Sequence, residues 1–170
     1  MSDPDFKIDI EELVGESTEE HIDITNLKTG TSQARQKKVE VKPDDKLVGQ
    51  IRRVGGLNHA ITVEANDNAP FEIICGQRRW GAFQILVEES DKYKKIRARV
   101  IRRDPKLTEE EKKVISFVEN YGRNDMEKSD YSDVIEYFYQ KYGRKISQAA
   151  KALGITTETA KKYLTFARLS

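Results

Sequence analysis

Cysteine occurs once in this chain of 170 residues and histidine twice. The single thiol, Cys75, has no partner for an internal disulfide. Together with His21 and His59 it falls short of the ligand set of a structural zinc site. Apolar runs are short, none approaching the roughly 18 residues of a membrane span, and the N-terminus carries no signal-peptide pattern. Internal repeats and low-complexity tracts are missing as well. These absences exclude a disulfide scaffold and a membrane protein, and they point to a reducing, cytoplasmic setting. What is abundant is charge, at 35% of residues against 37% hydrophobic. The length suffices for one ordinary domain or two small ones that fold unaided.

The net charge of +1 conceals an asymmetry. Residues 1–20 hold eight acids against Lys7 alone, a balance of −7, which leaves +8 on the remaining residues. A basic body with an acidic arm suits a nucleic-acid or nucleotide partner, and it equally suits an ordinary solvated surface with an unstructured tail. Residues 1–20 are expected to be an acidic flexible tail.

Beyond the tail, Ile22 to Leu27 alternates with period two and predicts a strand, followed by a polar loop from Lys28 to Lys38. Asp44-Asp45 offers an N-cap, and Leu47, Ile51 and Val54 line one helix face that stops at Gly55-Gly56. Ala60 to Ala65 and Phe71 to Cys75, separated by a turn, predict a hairpin. A helix is expected from Gln77 to about Leu86, then a strand from Lys95 to Arg103. Asp104-Pro105 interrupts this pattern, and Thr108 with Glu111 forms a capping box that opens a helical region. The fold class is therefore α+β: a small mixed-sheet module over 21–104, then an all-α module over 105–170. Helices are expected near 109–121, 130–142, 146–153 and 157–168.

Three stretches carry chemistry. In Phe71–Phe83 a buried strand runs through Gly76 into a helix whose first turn holds Arg78 and Arg79. A helix start favours an anion, a glycine lets a ligand approach the backbone, and guanidinium forks suit phosphate. The same two arginines could instead face solvent or bridge to local acids. In Ile146–Leu164 a small residue, Ala150, precedes Gly154 by four, and Ile155 and Ala160 point inward, which is the spacing of a helix-turn-helix over 146–168. That arrangement turns Ser147, Gln148, Thr156, Thr157, Thr159, Lys161 and Lys162 toward DNA, with hydroxyls and lysines suited to phosphate contact. A helical hairpin used only for packing has the same pattern. Finally, Glu119, Asn120 and Arg123 bring a carboxylate, a carboxamide and a guanidinium to one helix end, where they could serve Mg²⁺ and phosphate or only cap the helix.

These pieces, in this order, resemble the ParB/Noc/RepB family of partition proteins. Cys75–Phe83 (CGQRRWGAF) resembles the family's AGERRWRAA segment, and Glu119–Arg123 (ENYGR) its ENxQR box. Thr31–Arg35 (TSQAR) resembles the NPxQPR box, and Val54–Val63 the GxxQPIxV segment. The correspondence runs from about Ile22 to Leu169. It implies a ParB/sulfiredoxin-like sheet module and a DNA clamp that binds CTP with Mg²⁺. Carried over by position, Gly76, Gln77, Arg78 and Arg79 face the triphosphate and Arg123 its phosphates. Glu119 and Asn120 serve the metal, while Arg35, Gly56 and Asn58, within the Gly56–His59 turn, border the nucleotide. The implied partners are DNA, a second copy of the chain, and a ParA-type ATPase or a centromere-binding protein, all at the nucleoid or on a plasmid. Gln77 replaces the family's Glu, Gly81 its Arg and Gly122 its Gln. Asn58-His59 stands for Gln-Pro, and Thr31 and Ala34 replace an Asn and a Pro.

At most a slow CTPase is implied. A sulfiredoxin would place its catalytic Cys where Gln77 stands, and a ParB-like serine kinase would place an acid at Cys75. The family's later linker helices and dimerisation domain do not follow Ser170, so the chain reads as a fragment. The competing reading is a partition adaptor that keeps this fold but binds other proteins, without nucleotide turnover.

Overall fold

A computed structural model describes residues 10–30, 41–67, 69–121 and 128–169. The described residues fall into two compact units, one spanning 14–107 and the other comprising 108–169 with residues 10–13.

The first unit is built on a five-stranded mixed sheet in the order β1-β5-β3-β4-β2. Its strands are β1 (Ser17–Asp23), β2 (Leu27–Thr29), β3 (Ile61–Glu64), β4 (Phe71–Cys75) and β5 (Lys95–Ile101). β1 pairs antiparallel with β5, β3 antiparallel with β4, and the β3–β5 and β2–β4 pairs are parallel. All four residues of central β3 are buried, which is why its short run ITVE shows no clean polar alternation. Helices α2 (Lys46–Val54) and α3 (Gln77–Leu86) supply Val48, Ile51, Ala82, Phe83 and Leu86 to the core formed with Ile61, Val63, Ile73, Ile96 and Val100.

The structure departs from the sequence expectation in three places here. The stretch read as an acidic tail contributes a short helix, α1 (Ile10–Val14), and most of β1. Its acids meet arginines, with Glu19 bridging Arg97 at 2.9 Å and Glu20 bridging Arg102 at 2.6 Å. Val14 and Ile22 are buried. The strand expected over 22–27 is interrupted by a 3-10 turn (Ile24–Asn26), where Asp23 accepts from the Thr25 N–H at 2.9 Å. In α2 the buried face centres on Val48 and Ile51, and Val54 is 59% exposed. At about 100° per residue, Val54 lies roughly 90° from that centre and on the helix's final turn.

The second unit contains α4 (Glu109–Asn120), α5 (Lys128–Lys141), α6 (Ile146–Leu153) and α7 (Thr157–Leu169). The capping box that opens α4 forms as expected: Glu111 N donates to Thr108 Oγ1 at 3.1 Å, and Thr108 N donates to Glu111 Oε1 at 2.9 Å. The core gathers Val114, Phe117, Val134, Ile135, Phe138, Ala149, Ala150, Leu153, Ala160 and Leu164. Among the described residues no helix is long and apolar enough to cross a membrane.

Candidate anion site at the start of α3

β4 delivers Ile73, Ile74 and Cys75 into the core, and the chain then turns at Gly76, with φ +112°. A Cβ at this position would sit 2.4 Å from Ile61 Cγ2 and 2.7 Å from Ile61 Cβ. Backbone conformation and the neighbouring strand therefore both demand glycine here. Gly76 is the N-cap of α3 and has no side chain to offer the first-turn amides, and no acidic residue occupies that turn. The arrangement fits an anion, because the positive end of the helix dipole falls at a first turn without a side-chain cap or an acid.

The two arginines of the first turn diverge. Arg78 Nη2 lies 3.1 Å from both Asp45 Oδ1 and Oδ2, in a half-buried ion pair. Asp45 also caps α2, accepting from Leu47 N at 2.8 Å. The Leu47 N–H, then the Arg78 guanidinium, hold the Asp45 carboxyl below the usual carboxylate range against the opposing effect of burial.

Arg79 is buried and turns the other way. Its Nη1 donates to the carbonyls of His59 (2.9 Å) and Ala60 (3.2 Å), and its Nη2 lies 3.7 Å from Cys75 Sγ. Arg97 of β5 approaches the preceding carbonyls, those of Asn58 (3.2 Å) and Leu57 (3.5 Å). Two guanidiniums thus hold four consecutive carbonyls of the turn that carries Gly56, Asn58 and His59. Arg97 has no motif to announce it, since in sequence it reads as one of several outward basic residues on a strand. Trp80 packs on the core and donates Nε1–H to Ile24 O at 2.8 Å. Cys75 is 1% exposed, a packed thiol rather than an accessible one.

Of the remaining sequence candidates in this set, Gln77 is half-buried at the first position of α3. Glu119 is half-buried near the end of α4, whose last residue is Asn120. The Asn120 side chain, Arg35 and Arg123 lie outside the described residues. Among the described residues no three His, Cys, Asp or Glu side chains gather into a metal site.

In the helical unit α6 closes at Gly154, φ +69°, and Ile155 N donates to Ala150 O at 3.0 Å. Ser147, Gln148, Lys161 and Lys162 are exposed. Thr156 and Thr159 serve α7 itself: Thr156 Oγ1 accepts from Thr159 N at 3.1 Å and donates to Thr159 Oγ1 at 2.8 Å. The Thr157 hydroxyl is buried. Thr156 is exposed like Ser147, Gln148, Lys161 and Lys162, but its hydroxyl is engaged with Thr159.

Fold and site together define a class, a mixed-sheet α/β module with a glycine-turned, arginine-bearing helix start, continued by a helical segment. Within that class the model of the ParB N-terminal domain matches residues 9–121, and the chain belongs to that family. The resemblance read from the four sequence boxes is borne out. The chain is similar in structure to C-terminally truncated ParB from Caulobacter crescentus complexed to the centromeric parS site. That likeness has a TM-score of 0.52 and 19% identity over 85% of this chain and 70% of that one, and it shows the shared fold. A second structure of the truncated Caulobacter ParB, complexed with CTP-γ-S, aligns with a TM-score of 0.47 and 22% identity, over 92% of this chain and 88% of that one. No curated protein matches the chain.

Proposed function

We propose that this chain is a DNA-segregation protein of ParB type, binding CTP with Mg²⁺ at the start of α3 and DNA through α6 and α7. The observation that carries the nucleotide reading is the junction at Gly76. In a member of this family, a helix opens there without a side-chain cap or a first-turn acid, and with Arg78 in its first turn. In this reading Gly76, Gln77 and Arg78 meet the phosphates. Arg79 and Arg97 shape the 56–60 turn that borders the nucleotide rather than touching it. Glu119 and Asn120 are the candidates for the metal, and Arg35 and Arg123 for further phosphate contact, on the strength of the motif resemblance. When bound, Mg²⁺ neutralises part of the triphosphate's charge.

For DNA, Lys161 and Lys162 on the exposed face of α7, with Ser147 and Gln148 on α6, supply phosphate contacts. A ParB of the same fold is bound to parS DNA. A homodimer, a ParA-type partner and an association with nucleoid or plasmid DNA belong to the same proposal. One observation favours the adaptor alternative: both arginines of the α3 turn already bond protein groups.

The test is a thermal-shift series. CTP with Mg²⁺, and not ATP, raises the melting temperature by several degrees at a ligand concentration of about 100 times Kd. Arg78→Ala abolishes the shift. No shift with any nucleotide, together with DNA binding that is weak, non-specific and steeply salt-dependent, supports the adaptor instead.

A further inference from the structure

The contact between Asp45 and Arg78 joins two helix starts that are distant in sequence. Asp45 is fixed on α2 by its N-cap bond to Leu47 N at 2.8 Å, and both of its carboxylate oxygens lie 3.1 Å from one nitrogen of Arg78, in the first turn of α3. The pair is half-buried, with 23% of the Asp45 side chain and 26% of the Arg78 side chain exposed. The Arg78 donor proposed to hold phosphate is thus already occupied by an anion belonging to the protein.

We infer that Asp45 is a specificity-determining residue: its carboxylate acts as a built-in competitor that bars simple oxyanions from the start of α3 and admits only a ligand carrying several negative charges. The inference takes the location of the site from the nucleotide reading above. A monoanion offers Nη2 of Arg78 no more than the carboxylate already gives, and it must also approach that carboxylate's own negative charge. A polyanion can engage the first-turn amides and the guanidinium together, and a bound cation offsets its repulsion from Asp45. Sequence alone hides this role, since an Asp before an apolar helix face is sufficiently explained as an N-cap.

Asp45→Asn tests it with little risk to the fold, because the amide oxygen can still accept from Leu47 N while the side chain carries no charge. Asp45→Ser provides a second capping variant should the amide perturb the turn. Inorganic phosphate and pyrophosphate are titrated calorimetrically into the wild-type chain and the Asp45→Asn chain, each with Arg78 intact and with Arg78→Ala. The inference predicts that Asp45→Asn tightens phosphate binding at least ten-fold, with a clearly smaller gain for the more highly charged pyrophosphate, and that Arg78→Ala removes the gain. An equal gain for both anions overturns the discrimination. Loss of a cap alone would not depend on Arg78. Unchanged or weaker binding in both Asp45 variants overturns the inference, as does a gain that persists without Arg78. CTP with Mg²⁺ is titrated in parallel. If the oxyanions behave as stated but CTP binds neither wild type nor variant, the competitor role stands and the nucleotide reading fails.

Discussion

Gly76 shows how one residue can serve two masters. A φ of +112° and an approach of 2.4 Å between a would-be Cβ and Ile61 Cγ2 would fix glycine at this position even if no ligand ever visited it. Gly76→Ala therefore tests packing, not binding. The left-handed penalty of about 1–2 kcal/mol and an overpacking cost of about 1–3 kcal/mol predict a loss of roughly 2–5 kcal/mol in urea unfolding. A loss under about 1 kcal/mol would contradict the described turn. The neighbouring arginines illustrate what sequence conceals at this scale. Arg78 and Arg79 are chemically identical letters at adjacent positions, and only the positions of Asp45 and of the His59 and Ala60 carbonyls decide which one faces which way. Those partners lie 33, 20 and 19 residues away, beyond the reach of a local pattern.

At the scale of elements, the legible ones were those with local punctuation. α2 has Asp45 before it and Gly55, φ +84°, after it, α4 has its capping box, and β4 breaks at Gly76 into α3. β1 was not legible because its sequence, STEEHID, has acids where an alternating strand would show apolar residues. Its place in the sheet comes from pairing with basic β5 and from Ile22, which is 6% exposed. Exposed ion pairs such as Glu19–Arg97 are screened by solvent and contribute little. Burial of Ile22 therefore dominates the anchoring of this strand. Ile22→Ala is expected to cost about 2–4 kcal/mol in denaturant unfolding. Glu19→Gln, by contrast, should leave the denaturant midpoint nearly unchanged. Equal, negligible effects from both substitutions would return residues 17–20 to the status of a tail.

Across the whole molecule, folding depresses a set of carboxyl groups. Arg97 holds Glu19 down, Arg102 holds Glu20, the Thr25 N–H holds Asp23, the Leu47 N–H holds Asp45, and Arg52 holds Glu89. For groups depressed in the folded state, the stabilisation is complete above the unfolded pKa and is lost as pH falls through the folded value. The urea midpoint should stay level from neutral pH to about pH 5 and decline below about pH 4, with a shallower decline in Asp45→Asn. A midpoint that rises on acidification would contradict this. Screening by salt should weaken the contribution of the exposed pairs.

The change of periodicity near Pro105 was readable, and it lies close to Thr108, where the main segment of the helical unit begins, residues 10–13 being another part of that unit. Which of its hydroxyls would face outward was not, because Thr156 and Thr159 had equal claims as helix caps and as nucleic-acid contacts.

Whether the glycine-turned start of α3 receives a cytidine nucleotide through Arg78 is decided by isothermal titration of CTP with Mg²⁺ into the wild-type chain and its Arg78→Ala variant. Wild type should bind CTP saturably and ATP with no comparable affinity, and the variant should lose at least ten-fold in CTP affinity while keeping its melting temperature. Equal CTP affinity in both chains, or no heat of binding in either, would contradict the nucleotide reading.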